Sequence, residues 1–585
     1  MTGASAVTVP ASSAAPAGMA GPQPEPGTTG PSGWRRWLPL LVAAIYFALM
    51  MPIGGQLILH YPDERHYAYG GARMVETGDW LIPRTPGGEV RLKKPVIPYW
   101  FSAAGFELLG IGVPGFRLFW VLAASGVLLA TYAIARGLGA APGPAILAQV
   151  ILAANPVFMR AATNAIPDMP LAFFVTLAAL GFVRILAAPA GAPTARWAWL
   201  AWIAMALAVL TKGLLPIVLA AALVAYLVLL DRPLARRAIR PLPILAAAAL
   251  VAAWYAYAAL AHPEAFAAQF FGDQVTGNAT SSAAWVLVAL PGYLAAGVFS
   301  FLGWPVLLAW LAARARRPVS PRAWPPAARL LALWCAVVVL VFAFSDAVDP
   351  RYLLPVMPAF AALVAAGIGA LDGAAMPAVS RICRWLLIPT ALVGLALAVP
   401  EAMIVLQIGG ALAVAGVAAG IALWAGGFLV GWRTPRLAPY LVGAAPVLAA
   451  ALLALAMAPV VLPDRGAALA GAMAASDIPP AGRAFVGDIH VASEMRLAAG
   501  MAEPFTEQPG IDAALKAGSC LIATTRAGSA RRLEEAGFTV RRIRAGWRDI
   551  DVGPLFRAIF GWHLQRDRAR HGADGYVATC GGTTG

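Results

Sequence analysis

Long apolar runs dominate this chain, and short polar or basic connections separate them. A membrane-spanning helix needs about 20 mostly apolar residues. Runs of that kind occur thirteen times, at 37–59, 115–136, 142–160, 168–188, 195–211, 213–230, 241–261, 287–312, 328–344, 351–371, 384–402, 404–431 and 439–462. Two stretches break the rhythm. The segment 60–114 mixes charge with aromatic clusters and predicts amphipathic helices lying at a membrane surface. After residue 462 short apolar runs alternate with helical patterns. Strands are expected at Ala484–Val486, Cys520–Ala523, Thr539–Ile543 and Tyr576–Ala578, and helices at Ser493–Ala499 and Ser529–Ala536. The predicted organisation is a disordered Pro/Gly/Ala-rich segment 1–33, a membrane domain 34–462 and a small α/β domain 463–585.

Composition strengthens this reading. Hydrophobic residues make up 60% of the 585 and charged residues 12%, against about 25% charged in soluble domains. The net charge of +15 does not indicate nucleic acid, because the arginines fall in small clusters between apolar runs. With the N-terminus inside, each inside connection is basic: Arg35 and Arg36, Arg136, Arg184 and Arg196, Arg232 to Arg240, Arg314 to Arg322, Arg381 and Arg384, Arg433 and Arg436. The outside connection 262–286 has no Lys or Arg. The positive-inside rule then places the N-terminus in the cytoplasm and the tail outside.

The first outer loop violates that rule with Arg65, Arg73, Arg84, Arg91, Lys93 and Lys94. Positive charge kept against the insertion bias suits a lipid phosphate. The loop opens His60-Tyr61-Pro62-Asp63-Glu64-Arg65-His66-Tyr67. The acidic pair fits acid–base chemistry, or Asp63 is simply a helix N-cap. Later outer segments carry Arg160, Asn164 and Asp168, then Thr211-Lys212-Gly213, then Ser345-Asp346-Ala347-Val348-Asp349-Pro350-Arg351-Tyr352. The bland alternatives are capping for Asp168 and snorkelling for Lys212. Acids (Asp63, Glu64, Asp168) and cations (Lys94, Lys212, Arg351) thus share one face. Arg binds phosphate by bidentate hydrogen bonds and Lys as a point charge. Of four cysteines, Cys520 and Cys580 are in the tail, as a disulfide or as two free thiols.

Asp63-Glu64-Arg65-His66-Tyr67, Gly78-Asp79-Trp80, Lys94-Pro95 and Tyr99-Trp100, in that order and spacing, resemble the GT-C superfamily of glycosyltransferases that use polyprenyl-phosphate sugars. Among these are the lipid A 4-amino-4-deoxy-L-arabinose transferases and the protein O-mannosyltransferases. Asn164 to Asp168, Thr211-Lys212-Gly213 and Arg351-Tyr352-Leu353-Leu354-Pro355 are weaker matches, and the resemblance spans about residues 35–460. It implies an inverting transfer on the periplasmic face of a bacterial inner membrane. The donor would be a polyprenyl-phosphate-linked sugar and the acceptor lipid A, a glycan or a protein, with membrane lipids around it and no nucleic acid. It implies catalytic places for Asp63, Glu64 and Asp168, and substrate-binding places for Lys94, Arg65, Tyr67, Lys212, Arg351 and Tyr352. Two positions depart from the arabinose transferases. Lys93 replaces a Glu, and Phe270-Phe271-Gly272-Asp273-Gln274 has no Glu-His pair. In that family this Glu and His set can hold zinc, so neither a metal nor a cofactor is expected. Lys93 points to a more acidic donor or acceptor. A secondary transporter would instead need charges near the bilayer midplane and repeated halves. A scaffold with an outer domain would not need the basic loop.

Overall fold

The computed structural model describes residues 33, 35–56, 63–230, 232–270, 283–301, 304–314, 324–344, 348–370, 375–461, 465–547, 560–561 and 572–580. The expected disordered segment before Gly33, His60-Tyr61-Pro62, Phe271 to Gln274 and Ser345 to Ala347 lie outside them. Residues up to Leu38 form one unit and Pro39 onward a second.

The membrane part runs through α1 (Leu38–Gln56), α2 (Glu64–Thr77), α3 (Ile97–Leu109), α4 (Val113–Gly137), α5 (Pro142–Ala153), α6 (Pro156–Thr163), α7 (Asp168–Ala187), α8 (Ala195–Lys212), α9 (Leu214–Leu230), α10 (Arg232–Ala238), α11 (Pro241–Ala261) and α12 (Pro263–Phe266). It continues with α13 (Ala283–Ser300), α14 (Trp304–Arg314), α15 (Pro326–Ala343), a 3-10 turn Pro350–Leu353, α16 (Met357–Ala370), α17 (Ala375–Ile408), α18 (Ala411–Arg433) and α19 (Ala438–Val461). Among the described residues eight helices are long and apolar enough to cross a membrane, or nine if the bent pair α5–α6 is one span. Three shorter apolar helices, Leu214–Leu229, Trp285–Val298 and Met357–Ile368, join them. The chain is a multi-pass membrane protein.

A helix stands at each of the thirteen predicted segments, but several boundaries move. The expected span 287–312 is divided between α13 and α14. The expected break near residue 403 lies at Gly409-Gly410, because α17, 34 residues long, runs on through Pro389 and Pro400 to Ile408.

The first loop forms helices as expected, α2 and α3, yet α3 does not rest its aromatic cluster on lipid. Tyr99 and Ser102 are fully buried. Tyr99 meets Tyr67 of α2 with ring centroids 5.0 Å apart, Phe101 meets Trp120 of α4 edge-on, and Trp100 donates its indole N–H to Trp80 O at 2.6 Å. Gly71 permits this approach, since a Cβ there would collide with the Ser102 side chain and backbone.

The tail begins with α20 (Arg465–Ala474), followed by β1 (Arg483–Val486), α21 (Ile489–Ala499), β2 (Thr506–Glu507), α22 (Ile511–Lys516), β3 (Leu521–Thr524), α23 (Ala527–Glu535), β4 (Phe538–Trp547) and β5 (Gly572–Cys580). The sheet order is β2-β1-β3-β5-β4. β1 is parallel to β2 and β3, and β5 is antiparallel to β3 and β4. Apolar clusters around Phe485 and Leu521 on one face and Val486 and Leu533 on the other make it a layered α/β unit. Cys520 and Cys580 are bridged, with Cα atoms 4.9 Å apart, while Cys335 and Cys383 are free thiols.

This domain docks on α2. Tyr69 donates its hydroxyl to Glu503 at 2.6 Å. The Ala502 N–H donates to Glu76 at 2.7 Å. Arg496 lies 5.2 Å over the Tyr69 ring and pairs with Glu507 at 2.5 Å.

Candidate active site

α7 and α8 form a hairpin, so the first residue of one lies beside the last residue of the other. Asp168 opens α7 and Lys212 ends α8, and the two are ion-paired. Asp168 is 4% exposed and is the first residue of α7, with Pro167 rather than Asp168 at the N-cap position. Its second oxygen faces Arg351 at 3.9 Å. Arg351 belongs to the 3-10 turn and also pairs with Asp349 at 2.7 Å, while the Asp349 side chain caps that turn through Arg351 N at 3.0 Å. Tyr352 stacks on Phe342, with centroids 4.6 Å apart. Lys212 Nζ lies 4.8 Å above the Tyr352 ring and the Arg351 guanidinium 5.2 Å from it. An aromatic face below two cations suits their partial desolvation.

The first loop completes the cluster. Asp63 precedes α2, is exposed, and makes no side-chain cap. Lys94 is held down to a pKa of about 8, chiefly by burial and next by the charge of Lys212, with Asp168 and Asp63 opposing. These four groups therefore share one electrostatic neighbourhood. Tyr67 is buried and raised by desolvation, then by the charges of Tyr99 and Asp63. His66 is lowered to about 3 by burial and by Arg91, Arg65 and Lys93. Neutral at physiological pH, it can accept the Arg65 Nε–H at 3.3 Å. Lys93 is exposed beside half-buried Lys94.

Glu64 has a different setting from its neighbour. It is 0% exposed and ion-paired with Arg117 of α4, itself 1% exposed. The same Glu64 oxygen accepts the Ala165 N–H at 2.7 Å. Glu64 thereby ties α2 to α4 and to the segment leading into Asp168.

Sequence reasoning passed over three residues. Arg117 carries a signal, a charge near the start of an apolar span. Arg91 stands out in the sequence only as one loop cation among several, yet its charge acts on His66, Lys94 and Tyr99. Gln269 follows α12 and accepts the Leu92 N–H at 2.7 Å while donating to Val90 O at 2.9 Å. It clamps the backbone on both sides of Arg91, and no local sequence pattern announces that. Among the described residues no group of three or more His, Cys, Asp or Glu side chains is gathered as a metal site.

Residues 37–301 match the family described as dolichyl-phosphate-mannose-protein mannosyltransferase. An uncharacterised protein of Aquifex aeolicus (strain VF5) is 29% identical over 306 residues, covering 52% of this chain and 58% of that protein. The undecaprenyl phosphate-alpha-4-amino-4-deoxy-L-arabinose arabinosyl transferase of Edwardsiella ictaluri is 25% identical over 343 residues, covering 58% and 60%. The matches thus span under two thirds of these relatives' length. In fold, the crystal structure of ArnT from Cupriavidus metallidurans bound to undecaprenyl phosphate superposes with a TM-score of 0.65 at 20% identity, over 95% of this chain and 100% of that one. The chain therefore has the fold of that structure, and residues 37–301 match the mannosyltransferase family in sequence.

Proposed function

We propose that this chain is an inverting glycosyltransferase that moves a sugar from a polyprenyl-phosphate donor to lipid A, a glycan or a protein on the periplasmic face of the bacterial inner membrane. The observation that carries this reading is the meeting of Asp168, Lys212 and Arg351 at helix ends, with Lys94 and Asp63 in the same field. An apolar groove of about 570 Å³, lined by Tyr293, Phe301, Val339, Leu353 and Phe360, begins one residue from Tyr352 and suits a polyprenyl chain. Charges at helix ends, rather than at midplane, argue against a transporter.

In the reaction an acceptor oxygen forms a bond to the anomeric carbon, and the bond from that carbon to the phosphate oxygen breaks. Lys94, with Lys212 and Arg351, stabilises the charge growing on the leaving phosphate. Asp63 takes the proton of a hydroxyl acceptor; toward an acceptor phosphate it orients instead. Asp168, held by Lys212, faces the sugar. Tyr352 supports the two cations, and Tyr67 and Arg65 shape the loop side. Glu64 acts through position, by holding α2 and the Asp168 segment together.

The test is mass spectrometry of envelope lipids and outer-face proteins from cells that make the wild-type chain, the Asp63→Asn variant, or neither. A species heavier by one sugar only with the wild type supports the reading, provided the variant inserts normally. No glycan difference between wild type and null, or full activity of the variant, overturns it.

A further inference from the structure

We propose that the hairpin of α17 and α18 carries a binding site for one anionic phospholipid of the cytoplasmic leaflet, with the phosphate at Arg384 and Trp432 and one acyl chain in the apolar groove between the two helices. These helices contribute nothing to the Asp168 cluster, and the inference does not depend on the transferase reading.

The groove has a volume of about 410 Å³ and is lined from α17 by residues between Ala391 and Ala402, and from α18 by residues between Ile421 and Leu429, all of them apolar. Glycines shape it on both helices. Gly416, Gly420 and Gly427 let α18 lie close against α19, since a Cβ at each would press on Ala456, Leu453 and Ala445. The bulky Trp424 and Phe428 then serve the side toward α17, where Gly394 makes room for the Trp424 ring. The stretch from Ala391 to Ala402 rises about 16 Å along the helix, close to half of the roughly 30 Å hydrocarbon core. That is the reach of one acyl chain in one leaflet. The groove opens sideways to lipid, for its lining Leu395 is 62% exposed.

Charge and aromatic rings meet at one end of that groove. Phe428, which lines it, stacks on Trp432 with centroids 5.9 Å apart, and the exposed Trp385 meets Trp432 edge-on at 5.3 Å. The Arg384 guanidinium lies 4.4 Å over the Trp432 ring. Its Nε is buried and has no hydrogen-bond partner among the described residues, and a buried donor on a charged group calls for an acceptor. Arg433 ends α18 and Arg436 follows it, both exposed, and Arg381 stands one turn before Arg384. Against these four arginines the two connections at this end carry one acid, Asp372, which lies outside the described residues. The opposite end, the Gly409-Gly410 turn, brings no cation, so the headgroup belongs at the arginine end. The positive-inside rule puts that end in the cytoplasm, where basic pockets between membrane helices bind anionic lipid headgroups. Arg suits a phosphate by bidentate hydrogen bonds. An interfacial belt alone accounts for Trp385 and for basic helix ends. It does not account for a guanidinium fixed on the ring that closes a chain-sized groove.

The experiment is native mass spectrometry of the purified full chain in detergent, titrated with phosphatidylglycerol or with phosphatidylcholine of the same chains. The proteins are wild type, Arg384→Ala, Arg384→Lys and Ala391→Phe, the last of which fills the groove. Wild type is expected to hold one phosphatidylglycerol about tenfold or more tightly than phosphatidylcholine, Arg384→Ala to lose that preference and Arg384→Lys to keep part of it. Ala391→Phe should weaken phosphatidylglycerol although every arginine is present, and glycerol 3-phosphate, which has no chains, should not displace it. The proposal is overturned if wild type holds the two lipids alike, which marks an interfacial belt and nothing more, or if Arg384→Ala keeps the preference. It is equally overturned if Ala391→Phe binds phosphatidylglycerol as wild type does, or if glycerol 3-phosphate displaces the lipid, which would leave a surface anion contact. The comparison of the two lipids on wild type needs no variant, so a variant that fails to fold leaves the test standing.

Discussion

Asp63 and Glu64 are adjacent in the chain and opposite in setting. Asp63 is exposed at the mouth of the cluster, while Glu64 is sealed against Arg117. Breaking one side of a buried ion pair leaves an uncompensated charge, at a cost of about 3–5 kcal/mol, whereas replacing both partners costs far less. Arg117→Met is therefore expected to lower the Tm of detergent-purified protein sharply, and Glu64→Gln/Arg117→Met to recover most of the loss. An equal fall in both would dismiss the ion-pair account. Lys94 yields a pH prediction. Only its protonated form stabilises the phosphate, and its pKa lies near about 8 because of burial and Lys212. The kcat/KM for donor should be level below that pH and fall about tenfold per unit above it. In Lys94→Arg the fall should vanish from rates taken up to about pH 10, since guanidinium stays charged.

At the scale of elements, the site is a product of helix ends. The α7–α8 hairpin alone sets Asp168 against Lys212, and the 3-10 turn brings Arg351 and Tyr352 beside them. The basic loop folds back on itself, with Arg84 bridged to Val90 and the Arg91 N–H given to Pro83 O at 2.8 Å, and Gln269 adds partners to the backbone on either side of Arg91. Gln269→Ala removes both hydrogen bonds, each worth about 1 kcal/mol. The expected result is a KM for donor raised about fivefold to tenfold with Tm nearly unchanged. A large Tm loss with unaltered KM would make Gln269 merely structural.

For the whole molecule, the tail and the membrane part meet through α2, which carries Glu64 at one end and the Glu76 contact to Ala502 at the other. The tail's own stability leans on the Cys520–Cys580 bridge, which closes a 60-residue separation. Loops of that size contribute about 4 kcal/mol in the chain-entropy account, and about 2–4 kcal/mol is typical. Cys520→Ser/Cys580→Ser should lower the unfolding midpoint of the tail, followed by limited proteolysis, while the membrane part stays resistant. Unchanged protease resistance of the tail would remove the bridge from the account.

The apolar rhythm by itself determined the helical membrane class and put a helix at each apolar run, because a spanning helix needs a continuous apolar run; where runs abut, as in 287–312 and near residue 403, it misplaced the boundary. The same local reading found Asp63, Lys94, Asp168, Lys212 and Arg351 as polar groups standing against their surroundings. It could not separate Glu64 from Asp63, since burial is a property of what packs on a residue. It left Cys520 and Cys580 open, because pairing depends on β3 lying beside β5. It placed the α3 aromatics on lipid when α2 and α4 cover them, and it had no means to find Gln269, which lies 177 residues from the backbone N–H that it accepts. Tertiary structure alone decided these, because each depends on two distant segments meeting.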